Sequence, residues 1–280
     1  NHCFSSESAE TTNKITKYVV ANGATLTLDA SSINGRTAAS ALTMAAGTGA
    51  IKYDAGGTVI INNAGMAADF TGTFDLTSGT IYVGNQTSSG SSLHNSGGDT
   101  TFNASKVIVR AGATFLTHLG GGERGNGKDF APSFDFMNGA TFGNRDGHVD
   151  YTGNFRFNIV DPSAANPTYD KNGVVTLKQY WEKTLNFTGM LEGGGTVLFK
   201  SGEREYAYTY KLSNSGNSFD GIYRIIDGDA QDNSERTTTI QLAASNAAQF
   251  ATVSQDTISG KSVLLLNQNS TIAGLNSAVG

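Results

Sequence analysis

One cysteine, one tryptophan and three prolines are all that 280 residues hold of these types, and only 15% of the chain is charged. With a single thiol, Cys3, no internal disulfide can form. Folding must rest on backbone pairing and packing, and Cys3 is either a terminal bystander or an intermolecular link. An ordinary soluble domain is roughly 25% charged, so a coiled coil, a charge-laced helical bundle and a basic nucleic-acid binder are all poor readings, and the net charge of -5 offers nothing to a phosphate backbone. Long apolar runs are missing too. The longest, Val263 to Leu266, is strand-sized, against the roughly 20 residues of a membrane span, so a soluble chain without a transmembrane segment is expected. The sequence has no initiator Met and no leader pattern, so a mature or trimmed chain is expected.

Small polar residues stand where the charge is missing. The chain has 35 Gly, 32 Thr, 26 Ser and 24 Asn. Thr is β-branched and suits a pleated surface, while Gly and Asn accept the positive φ of tight corners, so this is a composition of turns and strands. With 38% hydrophobic residues and a small net charge, the chain is too apolar for charge-driven disorder and is expected to fold.

One pattern keeps returning: a corner of Gly, Ala or Asn, then Thr, then an apolar residue, then alternation. It reads Asn22-Gly23-Ala24-Thr25-Leu26, Gly56-Gly57-Thr58-Val59, Ser78-Gly79-Thr80-Ile81, Ala111-Gly112-Ala113-Thr114-Phe115, Asn138-Gly139-Ala140-Thr141-Phe142 and Gly194-Gly195-Thr196-Val197. Most intervals are roughly twenty to thirty residues, the range in which a repeated unit signals a solenoid or an array. The alternation in Thr25-Leu26-Thr27-Leu28 and Thr73-Phe74-Asp75-Leu76 is that of a strand with one buried face. Propeller blades need roughly 40 residues or more, so the spacing predicts an all-β fold of the parallel β-helix type, a solenoid with irregular loop excursions. Like residues would then stack on successive strands, favouring Thr and Asn ladders. The one helix-compatible stretch, Leu177 to Leu185, reads equally as a loop with a short turn.

The rhythm breaks between His118 and Trp181, which contains all three prolines, Pro132, Pro162 and Pro167. This divides the chain into an N-terminal extension (1–14), a repeat portion (15–117), an irregular portion with loop excursions (118–184) and a second repeat portion (185–280).

Residues 56 to 85, GGTVIINNAGMAADFTGTFDLTSGTIYVGN, resemble the autotransporter-associated β-strand repeat of secreted bacterial surface proteins through Gly57-Thr58-Val59, Phe70-Thr71-Gly72, Ser78-Gly79-Thr80-Ile81 and Gly84. A looser copy runs through Gly193 to Lys200, Leu212-Ser213-Asn214 and Asn217-Ser218-Phe219-Asp220-Gly221. The C-terminal stretches 237–250 and 261–280 are similar to the part of such passengers where two strands and an I-x-G-L turn precede the next repeat. The likeness covers about half the chain. It implies a right-handed parallel β-helix exported across the outer membrane and displayed extracellularly at the bacterial cell surface. The sequence departs from the family in having no translocator barrel, and Gly280 falls where a further repeat is expected to begin.

Chemistry-bearing residues are sparse. LGGGERGNGKDFAP (119–132) is Gly-rich but lacks the Gly-Lys-Ser/Thr ending of a phosphate cradle. His2, His94, His118 and His148 show no metal-ligand spacing, and no nucleophile elbow occurs. Asp146 and Asp150 lie near Arg145 and His148. Asp227, Asp229 and Asp232 offer oxygens at alternating positions, a candidate calcium loop that lacks the closing Glu of an EF-hand, and acidic turns are usually just solvated. Tyr180-Trp181, with Tyr169 upstream, are candidates for gripping a glycan or a partner, although such an aromatic pair more often covers a core. Tyr206, Tyr208 and Tyr210 alternate as one face of a strand.

The expectation is a non-enzymatic structural or adhesive segment without cofactor. Its partners would be a surface or extracellular protein, a glycan, or a second copy stacked end to end into a filament. The rival is a carbohydrate-active or carbohydrate-binding fold with its site near Asp146, Asp150 and Tyr180-Trp181.

Overall fold

The computed structural model describes residues 17–20, 25–29, 50–62, 72–84, 102, 104–118, 128–144, 148–180, 184–201, 207–226, 237–256 and 261–278. Among these residues every regular element is a strand. In the first half they are β1 (Lys17–Val20), β2 (Thr25–Asp29), β3 (Ala50–Asn62), β4 (Thr73–Gly84), β5 (Lys106–Val109), β6 (Thr114–His118), β7 (Lys128–Phe130), β8 (Ser133–Phe136), β9 (Thr141–Asn144), β10 (Val149–Tyr151) and β11 (Phe155–Phe157). There follow β12 (Val174–Gln179), β13 (Thr184–Phe187), β14 (Leu191–Ser201), β15 (Ala207–Leu212), β16 (Asp220–Ile226), β17 (Thr237–Leu242), β18 (Ala248–Asp256), β19 (Lys261–Leu266) and β20 (Ile272–Ala278).

Two sheets result, and all their ladders are parallel. The larger runs β11-β8-β5-β4-β6-β9-β12-β14-β16-β18-β20, with β1, β2 and β3 attached beyond β4. The smaller runs β19-β17-β15-β13-β10-β7. Because β11 also pairs with β14, eight strands of the larger sheet close on themselves as a parallel barrel.

This closure corrects the expected β-helix solenoid. That reading took each Gly corner to end one strand and begin another, which would leave separate open ladders. Several strands instead pass through their Gly corners unbroken, β3 among them, and two of these close the sheet. β4 pairs with β5 through Thr73 to Leu76 and with β6 through Thr80 to Gly84. β14 pairs with β11 through Leu191 to Gly193 and with β12 through Thr196 to Ser201. Each therefore joins the β5-β8-β11 ladder to the β6-β9-β12 ladder, and the two junctions complete the circuit. Glycine makes the passage possible: Gly79 (φ 72°) in β4 and Gly195 (φ 73°) in β14 take left-handed conformations in mid-strand.

The described residues of the stretch from Leu177 to Leu185 are not helical. They contribute the last residues of β12 and the first of β13.

Alternation sorts the side chains as one-sided burial requires. Along β17, Thr238, Ile240 and Leu242 are fully buried while Thr237, Thr239 and Gln241 are half-buried on the other face. The corner-Thr-apolar motif marks one row across the larger sheet. Thr25, Thr58, Thr80, Thr114 and Thr141 are in register on neighbouring strands, and Thr176 extends the row. Thr196 belongs to a different row, opposite Val174.

The core behind these faces is aromatic. Phe134 packs against Phe155 in a tilted pair at 4.8 Å, Phe115 and Phe142 meet it edge-on at 5.1 Å, and Tyr151 continues the column to Phe187 at 5.4 Å. Each such pair adds about 0.5–1.5 kcal/mol beyond the area it buries. Toward the C-terminus the core thins to Ile240, Leu242, Ala247, Ala248, Ala251 and Val253.

Candidate functional site

The outward face of the β5-β8-β11 ladder carries the densest charge. Asp75, Ile108, Asp135, Arg156 and Glu192 occupy one row across β4, β5, β8, β11 and β14. Arg110 grips Asp75 through Nε (2.7 Å) and a terminal nitrogen (2.8 Å), and Arg156 grips Asp135 in the same forked way at 2.5 and 2.6 Å. Lys106 adds a third cation 3.3 Å from Asp135. Hydrogen bonding to these carboxylates holds both guanidinium groups above their ordinary range, against the opposing pull of burial. Asp75 and Asp135 are themselves buried, so each forked pair is a charge-assisted link between neighbouring strand segments.

Over this face folds a strap, residues 158–170. It is closed by an antiparallel bridge between Ile159 and Tyr169 and by bonds from Val160 N to Thr168 O and from Asp170 N to Asn158 O. Asn158 anchors it: its backbone takes φ 58°, and its Nδ2 donates to Gly194 O at 2.7 Å. Asp161 is held below the usual carboxylate range by hydrogen bonds from the Ser163 side chain and backbone, with Arg110 assisting. Tyr169 sits in the strap. Its phenol is raised by burial first and by the Glu192 carboxylate second, with Arg156 opposing. The residue singled out as a glycan contact is thus a half-buried part of the charged row's cover.

Tyr180 lies elsewhere, beyond the end of β12. The Lys178 ammonium is 4.5 Å from its ring centroid, and its ring edge approaches Gly143. Leu116 lies on the same row as Gly143 and Lys178 and is buried although it points away from the core column. Tyr180 is therefore part of an outward apolar and cationic patch, and Tyr169 and Tyr180 belong to different faces. Trp181, Asp146, Asp227, Asp229 and Asp232 lie outside the described residues, as do 119–127 of the Gly-rich stretch. Asp150 is described: Asn186 donates to it at 2.9 Å, and Ser213 donates to Asn186 at 2.6 Å, a chain of polar links across β10 and β13. His148 Nδ1 accepts from Thr184 N at 3.2 Å.

Two features escaped the sequence reading. The first is a polar row inside the fold. Thr117, Asn144, Gln179 and Ser201 are fully buried on adjacent strands. Thr117 Oγ1 bonds the Tyr151 hydroxyl at 2.8 Å and Asn144 Oδ1 at 3.0 Å. Nearby, the Tyr210 hydroxyl donates to Lys200 O (2.6 Å) and Leu177 O (3.1 Å). Burial pushes the phenols of Tyr151, Tyr210 and Tyr223 upward, so these hydroxyls stay neutral. A related device is Asn217, which accepts from Leu191 N (2.9 Å) and donates to Ala247 O (2.8 Å), tying β14 to the segment before β18.

The second is the edge formed by β19 and β20. Leu266 and Leu275 are 53% and 56% exposed, whereas their register partners Leu242 and Val253 are at 0%. Leu264 and Ile272 are only partly covered. The apolar run Val263 to Leu266 was the available signal, but alternation alone could not show that its side chains would be left partly exposed among the described residues. Among the described residues no group of three or more His, Cys, Asp or Glu side chains could hold a metal ion, and no helix is long and apolar enough to cross a membrane. Compared with known proteins, the chain matches no family model, no curated protein and no solved structure.

Proposed function

We propose that this chain is a non-enzymatic structural or adhesive element of a bacterial surface protein, displayed extracellularly and acting through its surfaces rather than through chemistry. The observation that carries the reading is where its polar side chains are spent. Asp75, Asp135, Asn158, Asn186 and Asn217 each bond a group on or beside another strand, so polar residues that could serve catalysis are engaged in holding the ladders. A parallel array tied in this way around an aromatic core suits a rigid spacer that presents surface patches. The test is turnover. Incubated with a panel of acidic and neutral polysaccharides, with and without calcium, the protein releases no product; release that Asp150→Ala abolishes would overturn the non-enzymatic reading.

A carbohydrate-binding reading is favoured by one observation, the half-exposed Tyr180 ring beside Lys178, which suits an anionic sugar. Binding to a glycan array that falls at least tenfold in Tyr180→Ala would establish it, and an unchanged profile would discard it.

A further inference from the structure

We propose that Asn172 is a site of spontaneous covalent modification, where the side-chain amide becomes a carboxylate through a cyclic imide with Gly173, while the fold protects Asn138 before Gly139. Among the Asn-Gly pairs of the chain, Asn22-Gly23, Asn34-Gly35 and Asn126-Gly127 lie outside the described residues. A glycine after asparagine opens this route because it has no side chain to hinder the approach of its nitrogen to Cγ. The Gly173 nitrogen gives up its proton and bonds to the Asn172 Cγ, the Cγ–Nδ2 bond breaks, and ammonia leaves carrying that proton. Water then opens the ring at either carbonyl. The products are aspartate and its β-linked isomer.

The two described pairs are the same dipeptide in turns that oppose ring closure to different degrees. Asn138 is held at both ends of its amide: Oδ1 accepts from Val174 N at 3.0 Å, and Nδ2 donates to Asp170 Oδ2 at 3.3 Å. Its attacking nitrogen is engaged as well, since Gly139 N donates to Val174 O at 2.8 Å. Three bonds must open there. Asn172 is exposed, and its side-chain amide has no hydrogen-bond partner among the described residues. Its backbone N donates to Asp170 Oδ1 at 2.9 Å, a bond that ring closure leaves in place. Only Gly173 N has to be freed, from Asp170 O at 3.2 Å within the turn, while Gly173 O keeps its bond from Thr196 N at 2.8 Å. One local opening suffices, and the reacting groups are already neighbours. The product puts a new carboxylate two residues from Asp170, and the adjacent Lys171 ammonium is already committed to Asp220 at 2.8 Å. The β-linked isomer also lengthens the backbone before Gly173, where even a Cβ on the glycine would lie 2.6 Å from Asn158 Oδ1. Modification therefore acts on the turn that follows the strap.

The experiment is peptide mass spectrometry of the whole chain after incubation at neutral to mildly alkaline pH, folded in buffer and unfolded in guanidinium chloride. The tryptic peptides ending at Lys178 and at Arg145 report Asn172 and Asn138 separately, and fragmentation assigns the mass change to Asn138 rather than Asn144. Unfolding removes the turn bonds, so the denatured sample gives the intrinsic ratio of the two rates. Folding raises the ratio of Asn172 to Asn138 conversion at least about tenfold above that value, because two more bonds guard Asn138. The folded rate at Asn172 also rises with pH, since the Gly173 nitrogen must lose its proton. A ratio that fails to show this rise would overturn the inference, as would a folded chain whose Asn172 stays intact while the denatured sample converts. Neither result touches the non-enzymatic reading, which polysaccharide turnover decides separately.

Discussion

The closed barrel from β4 to β14 and the terminal strands β16 to β20 follow the same local pattern yet differ in what surrounds them. In the barrel each of the eight strands has a neighbour on both sides, and phenylalanines fill the interior. Toward the C-terminus the interior passes through Tyr223, Ile225, Ile240 and Leu242 to alanines and Val253, and the last strand of each sheet has one neighbour among the described residues. The charges divide likewise. Arg156 meets an Asp135 that is 1% exposed, whereas Arg224 meets Asp256 with its own side chain 49% exposed. Alternation decides which side of a strand is apolar; the number of neighbouring strands decides what that apolar side is worth.

The comparison can be broken most readily at its largest expected effect. Phe134→Ala, in the middle of the aromatic column, should cost about 3–5 kcal/mol, while Leu266→Ala at the open edge should cost under about 1 kcal/mol. Urea denaturation of both variants checks this, and equal costs would show that the edge is as well packed as the barrel. Alkali comes next. Burial raises the phenols of Tyr151, Tyr210 and Tyr223, so the neutral form is the one the fold keeps. Their contribution is complete below the unfolded phenol value of about 10 and is lost as pH rises from there toward the folded values, at about 1.4 kcal/mol per group per pH unit. A melting temperature that holds up to about pH 10 and then falls steeply, together with tyrosinate absorbance, is the expected record.

A smaller contrast lies in the ion pairs. Arg156→Met leaves buried Asp135 with Lys106 alone and should cost about 3 kcal/mol, whereas Arg224→Met should cost under about 1 kcal/mol because its pair is half in water. Chemical denaturation of the two variants at low and high salt sharpens the distinction, since only the exposed pair should respond to salt. The smallest effect separates two buried phenols. The Tyr223 hydroxyl has no hydrogen-bond partner among the described residues, so Tyr223→Phe should be neutral or stabilising by about 1 kcal/mol. Tyr210→Phe removes the donor to Lys200 O and Leu177 O and should destabilise by about 1–2 kcal/mol in the same thermal melts.

Much of the local structure was legible. Thr73 to Leu76 announced a strand by alternation and is one, and Tyr208 and Tyr210 share the inward face of β15. Tyr206, grouped with them in the sequence, lies outside the described residues. The Thr motif marked residues that do align on neighbouring strands, apart from Thr196. The candidate site was legible only in part. Tyr169 and Tyr180 read as one aromatic group because they are close in sequence, but the strap carries Tyr169 to the charged row while Tyr180 lies over Gly143. The paired charges were invisible for the opposite reason: Arg110 and Asp75 stand 35 residues apart and meet only because β4 and β5 are neighbours.

Composition and period two by themselves determined that this chain forms strands with one apolar face, that its corners need glycine, and that threonine recurs at the start of those strands. Such properties are written within a few residues, in steric preference and side-chain alternation. Only the tertiary structure decided that β4 and β14 run through their corners and close eight strands into a barrel, and that Leu266 and Leu275 meet no further strand among the described residues. Pairing partners are chosen over long separations by the free energy of the whole array, to which no single segment of sequence gives access.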